Sequence, residues 1–357
     1  MLIGPDAKSD DTRSAIFTIV SANYIGFAAT LMQSIRTHHP AVKRFIILAD
    51  APNGFAGIDL AAEIIGCDDL GIEYIDNMKS WYSVVEFNTA IKPFTFAHLF
   101  GKFGFDDVLY IDPDIKLYSP LEEVYQALAE HSIVLTPHMM QPLQDGKEPS
   151  DLTIMKAGIY NFGFVGFKND ADGRRLIGWW CDRLFAHCRI DVPGHMFTDQ
   201  RWMDLAPVFV ERPFILRHPG YNVAYWNIAH RVVARNAIGE WTVNGLPLRF
   251  FHFSGIKPDD DTVFSKHQNR FTYENLGIAT LLCADYRAAV LKNAWYEYSK
   301  VSYAYGFFAD GRPISDSARA GCYVPWMIIV YPLKQGLVST PASLTRLTRR
   351  SRRVSGS

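Results

Sequence analysis

The stretch that most constrains this chain is Asp107-Val108-Leu109-Tyr110-Ile111-Asp112-Pro113-Asp114-Ile115. Four apolar residues in a row make a short buried strand, and it ends in two carboxylates one residue apart. Strand side chains alternate, so an extended backbone sends Asp112 and Asp114 out on the same side. Two convergent oxygen ligands at a strand end suit a hard divalent cation such as Mg²⁺ or Mn²⁺. A cation held there is suited to carrying a diphosphate. Asp-x-Asp alone is equally an acidic turn that ends a strand and meets water, so the rest of the chain has to decide.

Ala15 to Val20 reads as a buried strand running into Ser21-Ala22-Asn23-Tyr24. Tyr24, Phe27, Ala28, Leu31 and Ile35 then recur at helical spacing, and His38-His39-Pro40 ends that helix. Phe45 to Asp50 reads as a second strand and Ile72 to Ile75 as a third. Strands alternating with helices imply parallel βαβ units, hence an α/β fold with a mostly parallel central sheet flanked by helices. Ligands in such sheets bind beyond the carboxyl ends of the strands, where Asn23, Asp50 and Asp112 stand. No GxGxxG follows the first strand and no GxxxxGK[ST] occurs, so neither a dinucleotide fold nor a phosphate-loop NTPase is supported.

Further along, Lys92-Pro93 opens a helix, with Pro93 in its first turn. Ser132 to Thr136 reads as a strand, Gln141 to Ser150 as a mobile loop, and Ile159 to Phe167 as a strand whose glycines permit close approach. Leu176 to Phe185 is helical, Thr198 or Asp199 caps a following helix, and Arg249 to Phe253 is a late strand. The 48% hydrophobic content is enough for a sizeable core, and the formal net charge of -1 gives no reason to expect nucleic acid binding. Five cysteines without CxxC spacing fit a reducing cytoplasm. Asp6, Asp10 and Asp11 before the first apolar run argue against a signal peptide. The run Val324 to Leu333 is too short to span a bilayer. The cluster Arg346, Arg349, Arg350, Arg352 and Arg353 is either a solvated tail or a peripheral contact with the inner membrane leaflet.

Four motifs taken together resemble the bacterial nucleotide-sugar glycosyltransferases of the GT-A fold, nearest to the retaining family 8 enzymes. They are the first strand with Ser21-Ala22-Asn23-Tyr24, Tyr110-Ile111-Asp112-Pro113-Asp114, Asn161-Phe162-Gly163, and His252-Phe253-Ser254-Gly255-Ile256-Lys257-Pro258. The last departs from the family, which spaces His, Gly and Lys one residue wider and follows the proline with tryptophan; Asp259 stands here. The resemblance implies a catalytic domain over 1–258, with a nucleotide-binding part to about 115 and an acceptor part beyond it. Residues 259–357 would be a mostly helical extension with a basic tail. It also implies a divalent metal, Mn²⁺ or Mg²⁺, on Asp112, Asp114 and His252. Asn23 and Tyr24 would border the nucleoside, Ser21 would belong to the donor site, and Lys92 would stand near the donor. Asn161 would contact the donor sugar, and Gly255 and Lys257 the diphosphate. Asp199 and Gln200 would sit beside the anomeric carbon. The donor would be a nucleoside-diphosphate-sugar and the acceptor a surface glycan or lipid-linked hydroxyl.

The chemistry itself asks for such groups. Breaking the C1–O bond builds negative charge on the diphosphate and positive charge on the sugar; cations answer the first, a carboxylate or amide the second. Retention needs no strong base, whereas inversion would make Asp199 the candidate base. Asn222, Tyr225 and Trp226, in a stretch rich in amides and aromatics, are expected to line the sugar or acceptor pocket. Several of these residues also have a plainer reading: His252 as a hydrogen-bonded core histidine, Tyr225 and Trp226 as an aromatic core corner, Asn161 as a partner for strand-end backbone groups, Asp199 as a helix cap, Lys92 as a solvated lysine. Two other classes compete, a nucleotide-sugar or glycan-binding protein without turnover and a metal-dependent nucleotidyltransferase. The second would carry a glycine- and basic-rich loop after the first strand, which Ser21 to Tyr24 is not.

Overall fold

The computed structural model describes residues 13–50, 54–55, 57–308 and 310–321. The apolar run Val324 to Leu333 and the arginine cluster from Arg346 lie outside them.

The chain opens with β1 (Ser14–Val20), buried at every residue, and α1 (Ile25–His38), followed by β2 (Lys43–Leu48) and β3 (Glu63–Gly66). Three helices follow: α2 (Ile75–Trp81), α3 (Val84–Ala90) and α4 (Lys92–Phe103). A reciprocal capping box between Ser83 and Glu86 starts α3. Pro93 sits in the first turn of α4, where a missing N–H costs nothing. Next come β4 (Asp107–Ile111), β5 (Ile115–Leu117), α5 (Glu122–Glu130), β6 (Ile133–Pro137), α6 (Asp151–Ala157), β7 (Tyr160–Lys168) and α7 (Ala171–His187). Short elements complete this half: β8 (Ile190–Asp191), β9 (Met196–Phe197), α8 (Gln200–Met203), α9 (Ala206–Phe209) and β10 (Pro213–Ile215). The remainder holds β11 (Val233–Arg235), β12 (Trp241–Val243), β13 (Leu246–Pro247), β14 (Phe250–His252), α10 (Ala279–Lys292) and α11 (Trp295–Tyr298).

The main sheet has the order β10-β6-β7-β4-β1-β2-β3. Only β7 runs against the others, pairing antiparallel with both β4 and β6. The expected mixed α/β fold with a mostly parallel sheet is therefore the one observed. Alternation along β1 sends Ala15, Phe17 and Ile19 into one core with α4 and α7, and Ile16 and Val20 into a second with α1 and α5. Helices thus cover both faces, as a parallel sheet requires.

Three expectations need correction. The third strand is Glu63–Gly66, not Ile72 to Ile75: Tyr74 has a left-handed φ of 61° and Ile75 opens α2. A four-residue edge strand half open to solvent carries only a weak apolar signal. The loop Gln141 to Ser150 is strapped down: the buried Arg270 guanidinium donates to both oxygens of Asp145 (2.6 and 2.9 Å) and to the carbonyls of Lys147 and Pro149. After residue 259 the chain runs through turns for some twenty residues before its one long helix among the described residues, α10. That helix packs Leu282, Tyr286 and Val290 into a cluster with Phe27, Phe251 and Phe253, so the core continues across residue 258. Among the described residues no helix is long and apolar enough to cross a membrane.

Candidate active site

The site forms where β4 ends. The ladder to β7 continues one residue beyond the strand, with the Asp112 N–H donating to the Gly163 carbonyl (2.7 Å). The extended backbone then stops: a turn closes with the Ile115 N–H on the Asp112 carbonyl (3.1 Å). The two carboxylates converge because of this turn, not because of strand alternation. β5 then pairs antiparallel with β14, placing His252 opposite Ile115. A residue 138 positions away from Asp114 is thereby brought to 3.0 Å (Nε2 to Oδ1), with Asp112 Oδ2 at 3.8 Å.

Asp112, Asp114 and His252 offer ligand atoms all within 4.8 Å of one another and could hold a metal ion. Two features support the fit. A Cβ built on Gly163 would stand 2.5 Å from His252 Cε1 and 2.6 Å from Asp112 Oδ2, so the floor of the triad has room only for glycine. The donor set of two carboxylates and an imidazole suits Mn²⁺ and, less well, Mg²⁺. Burial raises the Asp112 carboxyl above its usual range, and neighbouring Asp114 adds to the rise against the opposing charge of Lys92. Burial by itself would lower His252, but Asp114 and Asp112 outweigh it and raise the imidazole. The triad therefore favours a positive charge among its three side chains.

Beside the triad lies a cleft of about 350 Å³, lined by Ser21, Asn23, Tyr24, Asn88, Tyr110, Asp112 and Asp114 among others. Ser21, Asn23 and Tyr24, all expected at the donor, thus share one cleft with both carboxylates. Ser21 is buried and accepts from Asn88 Nδ2 (2.9 Å), while Tyr24 is 45% exposed and stacks on Phe27. Asp50 is consumed by the fold: it is buried and accepts from the Ala22 N–H (2.7 Å).

Other expected residues fall differently. Lys92 is not solvated; it is buried, ion-paired to Asp199, donates to the Phe162 carbonyl (2.8 Å) and lies over the Tyr110 ring. Asp199 makes no cap bond to its helix; its carboxylate goes to Lys92 and Thr198 instead. Gln200 has both ends taken, accepting from the Phe162 N–H and donating to the Ala157 carbonyl. Asn222 is fully buried behind His252, so the expectation that it lines a sugar pocket is corrected: its amide serves the histidine. Asn161 is likewise engaged with Gly163, Asn222 and His138. Trp226 is buried edge-on against His252, whereas Tyr225 remains partly exposed and its hydroxyl is pushed up to about 12 by burial and by Asp114. Gly255 has a φ of 78° with Ser265 and His267 pressed against it, and Lys257 is exposed on the following turn. Sequence reading missed Tyr110, whose hydroxyl donates to Asp112, and His138. His138 follows β6 directly, a carboxyl-end position that the rule applied to Asn23 and Asp112 would have found.

No protein-family model matches the chain. It is 27% identical over 187 residues to the uncharacterized protein YfnF of Bacillus subtilis (strain 168), covering 52% of this chain and 61% of YfnF. It is 25% identical over 239 residues to YfnD of the same organism, covering 65% and 72%. The chain thus spans about three fifths of the length of YfnF. Among solved structures it is similar to the galactosyltransferase LgtC in complex with donor and acceptor sugar analogs, at 14% identity and a TM-score of 0.45, covering 77% of this chain and 95% of that one. It is also similar to the glycosyltransferase GlyE of Streptococcus pneumoniae TIGR4, at 15% identity and a TM-score of 0.41, covering 88% and 63%. By its own sheet the chain is a mixed α/β protein, and glycosyltransferases are among the solved proteins it is similar to.

Proposed function

We propose that this chain is a glycosyltransferase that moves a sugar from a nucleoside-diphosphate-sugar, by preference a UDP-sugar, to a hydroxyl of a surface-glycan or lipid-linked acceptor. The observation that carries the reading is that Asp112, Asp114 and His252 converge at the wall of the cleft that Ser21, Asn23 and Tyr24 line. Asp112, Asp114 and His252 would hold the cation, Mn²⁺ in preference to Mg²⁺ because one donor is an imidazole. The chemistry supplied by a cation there is neutralisation of the charge that grows on the departing diphosphate. Tyr24 and Asn23 would bound the nucleoside, and Lys257 would meet the diphosphate as an exposed point charge. The Asp199 carboxylate is already engaged in a buried ion pair with Lys92; this favours retention over inversion.

The test is calorimetric titration of UDP, GDP, CDP and dTDP, with Mn²⁺ and with EDTA, on the wild type and Asp114→Ala. Metal-dependent binding of one nucleotide, lost in the variant, is expected. Absence of binding by every nucleotide and by intact nucleotide-sugars overturns the reading. A second reading, donor binding without turnover, is favoured by one observation: both Asp199 and Gln200 are already occupied by protein partners. It predicts wild-type protein that binds the donor yet neither hydrolyses nor transfers it.

A further inference from the structure

We propose that His138, Asn161 and Asn222 form a hydrogen-bonded relay that holds a proton on His252 Nδ1 and turns Nε2, the nitrogen that would give up its proton to a cation, to Asp112 and Asp114, His138 being the positioning residue that ends the relay. The proposal rests on the metal reading of the triad and assigns new work to two asparagines expected at the sugar.

The polarity follows from a group that cannot reverse. The Gly163 backbone N–H donates to Asn161 Oδ1 (3.2 Å), which fixes that amide's orientation. Asn161 Nδ2 therefore faces His138 Nε2 (3.1 Å), and His138 must accept there. Asn222 Nδ2 donates to the same Asn161 oxygen (3.0 Å) and to Thr136 Oγ1 (3.2 Å). Its oxygen is left facing His252 Nδ1 (3.2 Å), so His252 must donate from Nδ1. Nε2 is then the only ring nitrogen that can serve a cation, and it is the one turned to the carboxylates.

Apart from His138 Nδ1, which finds no hydrogen-bond partner among the described residues, the surroundings hold this arrangement. His138, Asn161, Asn222 and His252 are 4%, 7%, 0% and 3% exposed, so water cannot substitute for a lost partner. Burial pushes the His138 imidazole down to about 4, with His252 adding to the effect, which keeps Nε2 an acceptor at neutral pH. Trp226 stands edge-to-face against both imidazoles, at 5.3 Å from His138 and 5.0 Å from His252. Asn227 Nδ2 ties His138 to Asn222 by donating to the carbonyls of both (3.0 and 2.9 Å). Asn222 takes a left-handed φ of 51°, a conformation asparagine tolerates better than most residues. Outer partners of a ligating histidine matter by about 10–100-fold in metal affinity.

The experiment measures Mn²⁺ affinity without nucleotide, by calorimetry, for wild type, His138→Leu, His138→Gln, His252→Ala and the His138→Leu/His252→Ala double variant. His138→Leu is expected to weaken Mn²⁺ about 10-fold or more. His138→Gln, which keeps an acceptor, should stay close to wild type. The double variant should bind no more weakly than His252→Ala alone, because the two act through one ligand. His138→Leu binding like wild type while His252→Ala is weakened overturns the relay and leaves the metal site standing, as does full additivity in the double variant. Wild type that binds no Mn²⁺ overturns both. Two-bond ¹H–¹⁵N correlation of the histidine rings in wild type reads the tautomer without any variant: His138 protonated on Nδ1 is expected, and His138 protonated on Nε2 refutes the relay.

Discussion

Gly163→Ala tests the geometry of the candidate site with a single methyl group. The added Cβ would lie 2.5 Å from His252 Cε1, 2.6 Å from Asp112 Oδ2 and 2.9 Å from Asn161 Oδ1. Unbonded carbons rest at about 3.5–4.0 Å, so the imidazole must retreat by about 1 Å. It cannot do so freely, because Trp226 stands against one side and Asn222 holds Nδ1. The backbone cannot yield either: the Gly163 carbonyl accepts from Asp112, and its N–H is committed to Asn161. Overpacking of this kind costs about 1–3 kcal/mol. The larger effect falls on the triad, since a displacement of about 1 Å at a reacting centre costs on the order of 100-fold. Mn²⁺ affinity by calorimetry should fall at least about 10-fold, with thermal unfolding lowered by several degrees. Mn²⁺ affinity and unfolding temperature both equal to wild type would refute the close contact, and with it the account of why glycine stands in this strand.

Asp107, at the start of β4, has its carboxyl raised from 3.8 to about 6, mainly by burial, against the pull of Lys168. A folded-state value above the unfolded one gives stability that is present below about pH 4 and lost as pH rises to about 6. Asp107→Asn should therefore stabilise the protein by at most about 3 kcal/mol at pH 7 and by much less at pH 4; equal effects at both pH values in denaturant titrations would contradict this. Lys92→Met strands the buried Asp199 carboxylate and should cost about 3–5 kcal/mol, with Lys92→Met/Asp199→Asn losing less; a double variant as unstable as the single one would show that the pair is not the cause. Arg270→Ala removes the strap on residues 141–150 and should make that loop the first site of limited proteolysis, with cleavage elsewhere unchanged.

The sequence by itself determined the mixed α/β architecture, because β1, β2, β4 and β7 are runs of apolar residues long enough to be buried on both faces. It also determined that Asp112 and Asp114 would stand at a carboxyl end, since strand end and turn are both local properties. The edge strand Glu63–Gly66 was not legible, because an edge half open to water needs no apolar run. Tertiary structure alone decided which distant residues join the pair. β5 and β14 pair across more than 130 residues to deliver His252, and α4 meets the turn before α8 so that Lys92 neutralises Asp199. It also turned Asn161 and Asn222 away from solvent and into a chain of hydrogen bonds ending at His138. Amides and imidazoles look alike in a sequence whether they face a ligand or each other. Only burial, which forces every donor to find an acceptor inside the protein, settles which of the two it is.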